Sequence, residues 1–232
     1  MELSDYQRLI HASRYSRFID SEERRETWPE TVQRYVDFWK DKEMITDAEA
    51  KRFGKAIEEM DVMPSARCLW TAGPALERDP SAGFNCTYVA VDHPRAFDEA
   101  MFLLCCGAGV GFSVERQHIN KLPEVPEDMH PCDTVIMVAD SKQGWSSALR
   151  QLISLLYSGH VPTWNVERVR PAGERLKVFG GRASGPGPLV DLFETVVRIF
   201  KGAAGRKLSS VECLDLMTSI GCLLYTSDAA DE

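Results

Sequence analysis

The feature that most constrains the fold is a change of sequence style at Met63-Pro64-Ser65. Before it, apolar residues recur at helical spacing, as in Val32, Tyr35, Val36 and Trp39 within 29–41. Thr46 followed by Glu49 is a capping box that starts a helix burying Phe53, Ile57 and Met60. After it, short β-branched runs alternate with amphipathic stretches, with Gly and Pro between them. Strands are predicted over 87–91, 111–115, 134–138 and 175–179, and helices over 95–106, 145–157, 188–201 and 209–220. Such alternation implies an α/β fold, with a parallel or mixed sheet wrapped by helices. No repeat of fixed length is present, which argues against a solenoid.

Three segments follow. Residues 1–62 read as a small helical region and 63–221 as the α/β part. The last eleven residues, Cys222 to Glu232, break the style of what precedes them and look like one reading frame of a transposon-end sequencing adapter. They are expected to be an artefact tail, which leaves the natural chain a fragment cut near Gly221.

Composition narrows the function. With 44% hydrophobic and 27% charged residues, the 232-residue chain has the makeup of a soluble globular protein. Met1 to Phe18 carries charges throughout and holds no apolar core of a secretory signal, and no stretch is a plausible membrane span. A net charge of -8 disfavours broad contact with a nucleic-acid backbone. A few arginines and turn N–H groups still suffice for one nucleotide. Seven cysteines at irregular spacing, without Cys-x-x-Cys, argue against a disulfide framework and a structural zinc site. A reducing, cytoplasmic setting fits, and no metal-ligating residues are assigned.

Gly107-Ala108-Gly109-Val110-Gly111 resembles a dinucleotide fingerprint, but that motif needs a strand before its glycines and a helix after them. Here a helix leads in and Phe112 to Glu115 leads out as a strand. Two readings remain: a helix stopped by Gly107 before a tight strand entry, or a Gly109 that lets a ligand approach the backbone. Gly83-Phe84-Asn85-Cys86 stands just before a predicted strand, where site residues collect, although a lone cysteine more often is a buried structural thiol. Cys68, Cys105, Cys106, Cys132 and Cys213 carry that structural reading. The glycines and Arg182 of 179–186 suit either a simple connection or a nucleotide base or phosphate. Helix capping alone accounts for Asp140-Ser141-Lys142-Gln143-Gly144-Trp145.

The order of four motifs, at 83–86, 107–113, 140–145 and 179–186, resembles that in the large catalytic chain of ribonucleotide reductases. The details are most similar to the adenosylcobalamin-dependent ribonucleoside-triphosphate reductases, over about Tyr15 to Gly221. That resemblance implies the first half of a ten-stranded α/β barrel behind a helical region. In the family a thiyl radical takes the 3′ hydrogen of the substrate ribose, and a cysteine pair reduces the 2′ position while forming a disulfide. Cys86 matches the first cysteine of that pair, to be reset by a thioredoxin-like reductant. Asn85 and Gly109 match positions against the ribonucleoside triphosphate. Asp92, Gly181, Arg182 and Ser184 match parts that bind a deoxynucleotide effector, with Arg182 as the relay side chain.

The radical cysteine, the second reducing cysteine and most of the cobalamin-contacting region belong to later parts of the family pattern, so this chain alone is expected to be inactive. Two alternatives stand beside this reading: the same reaction driven by a metal-bearing radical subunit, or a noncatalytic module that senses deoxynucleotides.

Overall fold

The computed structural model describes residues 3–174 and 183–226, with side chains through 223. The strand expected over 175–179, together with Gly181 and Arg182, lies outside the described residues. The chain forms two compact units, Met1–Asn85 and Cys86–Glu232.

In the first unit, α1 (Asp5–Arg14) is followed by a hairpin of β1 (Phe18–Ile19) and β2 (Arg24–Arg25), with Phe18 opposite Arg25. Then come α2 (Trp28–Asp41), α3 (Asp47–Glu58) and the short α4 (Ala66–Thr71) and α5 (Pro74–Arg78). The predicted capping box starts α3: Thr46 Oγ1 accepts from the Glu49 amide, and Glu49 Oε2 accepts from the Thr46 amide at 2.9 Å. Trp28, Val32, Val36, Ala50, Ile57 and Leu69 form the apolar core.

A buried ion pair organises the polar side of this unit. Glu26 accepts from Arg34 Nε at 2.7 Å and Nη2 at 3.0 Å, from Thr31 Oγ1 at 3.0 Å and from the Arg17 amide at 3.1 Å. Arg34 Nη1 also donates to the carbonyls of Leu69 and Ala72, which the end of α4 leaves without helical partners. The two side chains are only 8% and 17% exposed, so neither charge is satisfied by bulk water.

The second unit holds β3 (Cys86–Ala90), α6 (Ala96–Cys105), β4 (Gly109–Ser113), α7 (Arg116–Ile119), β5 (His130–Met137), α8 (Lys142–Tyr157), β6 (His160–Asn165), α9 (Gly187–Gly202) and α10 (Ser210–Thr226). β3 pairs with β4 and β5 with β6, both in parallel. A parallel pair cannot be closed by a tight hairpin, and α6 and α8 supply the crossovers. Phe97, Met101, Leu149, Leu152, Phe193 and Phe200 are among the residues buried where these helices meet. Asp98 on α6, 1% exposed, accepts from Arg150 Nε and Nη2 on α8 at 2.8 and 2.7 Å.

Each helix predicted beyond Met63 is present within three residues of its expected ends, except that α10 runs to Thr226, past the expected end at 220. The strand over His160–Asn165 was not anticipated. Pro162 interrupts its ladder of N–H donors and so its strand signature. The register shifts between Pro131 and Val135, so Pro162 falls at an irregularity of the ladder, where a proline is tolerated. The tail residues Cys222 to Thr226 continue α10, and Leu223 is buried.

Glu26→Gln is expected to lower the unfolding free energy by about 3 kcal/mol, because Arg34 would stay buried beside a neutral partner. Burial by itself raises the Glu26 carboxyl, but the Arg34 and Arg17 hydrogen bonds outweigh it and hold the group below the usual 4.5. A depressed folded value contributes stability that is complete above 4.5 and is lost as pH falls through the folded value. Urea unfolding across acid pH should therefore show a steeper loss in the wild type than in Glu26→Gln.

Candidate active site

The site is built on β3 and β4. Side chains alternate between the two faces of a strand, and the parallel register sets Cys86 opposite Gly109 and Tyr88 opposite Gly111. These four residues are exposed, with Tyr88 at 64%, whereas Val89, Val110 and Phe112 pack against the core. One face of the pair is therefore a thiol and a phenol beside two glycines. The Thr87 hydroxyl donates to the Gly109 carbonyl at 3.4 Å, a long contact between the strands. A Cβ placed on Gly111 would meet only the Thr87 carbonyl oxygen, at an ordinary 3.6 Å. Packing inside the chain does not demand glycine there. What its absence of a side chain provides is bare backbone opposite Tyr88, continuing that of Gly109 opposite Cys86, on which a flat or sugar-like ligand can lie.

The entry into β4 follows from the end of α6. Gly107 takes a φ of +79°, its amide donates to the Leu104 carbonyl at 2.8 Å, and the Ala108 amide donates to the Leu103 carbonyl at 3.1 Å. This pair of bonds is the Schellman arrangement, for which glycine is the favoured residue. The helix-stop reading of Gly107 and the ligand-approach reading of Gly109 are thus compatible.

Asn85 is exposed and immediately precedes β3 in the chain. Asp92 follows the far end of β3, about 20 Å of extended chain from Cys86. Its carboxylate lies 3.1 Å from Lys121 Nζ, and the hydrogen bond from Lys121 holds it below the usual aspartate value. The structure therefore brings Cys86 and Gly109 together and sets Asp92 apart from them. Ser184 lies just beyond 175–182, where the flanking chain is tied: the Gly173 amide donates to the Ala183 carbonyl at 2.7 Å, and the Ala183 amide to the Glu174 carbonyl at 2.8 Å. Gly185 completes this base at a φ of +79°, with a Cβ there falling 2.8 Å from the Ala172 amide nitrogen.

The capping interpretation of 140–145 explains part of that segment. Ser141 Oγ accepts from the Gly144 amide at 3.0 Å, and Gly144 is required because a Cβ would stand 2.4 Å from the Ala139 carbonyl oxygen. Capping does not explain Asp140, which accepts from Arg170 Nε at 2.7 Å, or Lys142, which is buried. No local sequence pattern announces the burial of Lys142.

The structure contains no disulfide between the seven cysteines. Cys86 and Cys222 are exposed, while Cys105, Cys106 and Cys213 are buried. Burial pushes the thiols of Cys105 and Cys213 up to about 12, far from the thiolate form that reacts. Among the described residues no group of three or more His, Cys, Asp and Glu is placed to hold a metal ion. No described helix is long and apolar enough to cross a membrane.

Comparison with known proteins bears on this geometry. Residues 114–200 match the family described as B12-dependent ribonucleotide reductase, insertion domain. The adenosylcobalamin-dependent ribonucleoside-triphosphate reductase of Levilactobacillus brevis is 26% identical over 280 residues, covering 89% of this chain and 37% of its own length. That of Euglena gracilis is 28% identical over 243 residues, covering 92% and 32%. A crystal structure of a B-12 dependent (class II) ribonucleotide reductase superposes with a TM-score of 0.83 at 23% identity, over 96% of this chain and 40% of that one. The last likeness is one of fold. Along nearly its whole length the chain resembles these reductases, and it spans about a third of the length of the curated relatives.

Iodoacetamide at mildly alkaline pH should label Cys86 and Cys222 and spare Cys105 and Cys213. Peptide mass spectrometry checks this, and labelling of Cys213 at the rate of Cys86 would contradict the burial described.

Proposed function

We propose that the protein to which this chain corresponds reduces ribonucleoside triphosphates to deoxyribonucleotides by thiol-dependent radical chemistry. The observation that carries the reading is the register of Cys86 opposite Gly109 on an open strand face. A substrate ribose lying on the bare backbone of Gly109 and Gly111 would sit beside the Cys86 sulfur, with Asn85 next to it in the chain. The names of the similar proteins support the reaction, the triphosphate level of the substrate and the use of adenosylcobalamin.

Cys86 supplies one of two thiols in this scheme. The C2′–O bond of the ribose breaks, the oxygen leaves as water and a C2′–H bond forms. Two thiols give up two electrons and two hydrogens and become a disulfide. The second thiol would come from another part of the complete protein, since this chain spans only about a third of the length of its relatives. A thioredoxin-like dithiol then resets the pair by exchange.

The strand face presents a thiol, a phenol and glycine backbone, which suit a nucleotide and offer no apolar enclosure for a corrin. Adenosylcobalamin would be held by other parts of the complete protein. Residues 1–62 would form a helical region, and 63–221 the first half of a ten-stranded barrel. Asp92, Gly181, Arg182 and Ser184 would bind a deoxynucleotide effector. The separation of Asp92 from Cys86 along β3 supports a second nucleotide site apart from the substrate.

In the complete gene product Cys86→Ser should abolish turnover coupled to a thioredoxin-like reductant, while Cys213→Ser, at a thiol packed in the core, should retain it. Steady-state assays with radiolabelled ribonucleoside triphosphate decide. Near-normal turnover by Cys86→Ser would end the reading.

A further inference from the structure

Lys142 is 9% exposed at the first turn of α8. Its Nζ donates to Cys106 Sγ at 3.4 Å and stands 5.5 Å from the centre of the Phe102 ring. Phe102 and Cys106 are one turn apart, so the lysine spans the last turn of α6 on one side. Cys106, 1% exposed, is the C-cap of that helix and precedes Gly107, whose left-handed turn leads to Gly109. An ammonium at this position also meets the negative end of the α6 dipole. The start of α8 is held in turn by the Asp140 to Arg170 bond at 2.7 Å and by the Ser141 cap.

We propose that Lys142 is a positioning residue for the nucleotide face: by clamping the end of α6 it sets where Gly109 lies against Cys86. The inference rests on the reading of that face given above. Gly109 is three residues past the clamped Cys106, too short a tether to absorb much movement of the helix end. A misplacement of about 1 Å near reacting groups costs up to about a hundredfold in rate.

The test compares Lys142→Met, Cys106→Ala, Cys106→Ser and Arg150→Met in the complete gene product. Arg150→Met breaks another polar contact between α6 and α8, at the opposite end of α6, and controls for general loosening. The first readout, needing no ligand, is amide exchange at 107–111. Lys142→Met and Cys106→Ala should speed it on the order of tenfold, whereas Cys106→Ser, which keeps an acceptor, and Arg150→Met should leave it near wild type. The second is the ribonucleoside triphosphate concentration that half-protects Cys86 from iodoacetamide, which should rise about tenfold in the same two variants.

Unchanged exchange at 107–111 in Lys142→Met and Cys106→Ala overturns the proposal, as does an equal increase in Arg150→Met. If Lys142→Met does not fold, the Cys106→Ala and Cys106→Ser pair decides by the same criterion. If triphosphate fails to protect Cys86 even in the wild type while the exchange pattern holds, the nucleotide reading falls and the clamp stands.

Discussion

Parallel pairing of β3 with β4 is the constraint on which the second unit depends. Strands running the same way need a crossover, and here α6 must leave the end of one strand and return the chain to the start of the next. The helix has to stop sharply enough for β4 to begin level with β3. Gly107, in the left-handed region, makes that stop with two carbonyl bonds satisfied. Register follows from it, and the pairing of Cys86 with Gly109 follows from register.

Burial then distinguishes the cysteines. Two thiols that chemistry alone could recruit, Cys105 and Cys213, are enclosed by the helices that cover the sheet, and their ionisation is suppressed. Cys86 escapes because it begins a strand and points to the face those helices leave open. The same alternation that sends Val89 and Phe112 into the core puts Cys86 and Tyr88 outward. Inertness and exposure therefore come from one packing arrangement. No special chemistry at each thiol is needed.

Much of the architecture was legible in the residues. Amphipathic spacing located α6, α8, α9 and α10, because a helix that buries one side repeats its apolar residues every three or four positions over several turns. Short strands were less legible: β6 carries Pro162 and only six residues, too few for alternation to stand out. The motif at 140–145 was legible as a cap through Ser141 and Gly144, both of which act within a few residues of themselves. Its Asp140 and Lys142 act on Arg170 and Cys106, thirty or more residues away in the chain, and nothing local marks them.

By itself the sequence determined the α/β alternation, the approximate places of α6, α8, α9 and α10 and the candidate thiol at Cys86, since each depends on interactions within a few residues or on motif order. Only the tertiary structure decided that Gly109 lies opposite Cys86, that Asp92 stands at the other end of the strand and that Lys142 closes on the end of α6. These are contacts between segments far apart in the chain. They arise when the helices pack and bury their apolar faces, and no local pattern of residues encodes which atoms that packing brings together.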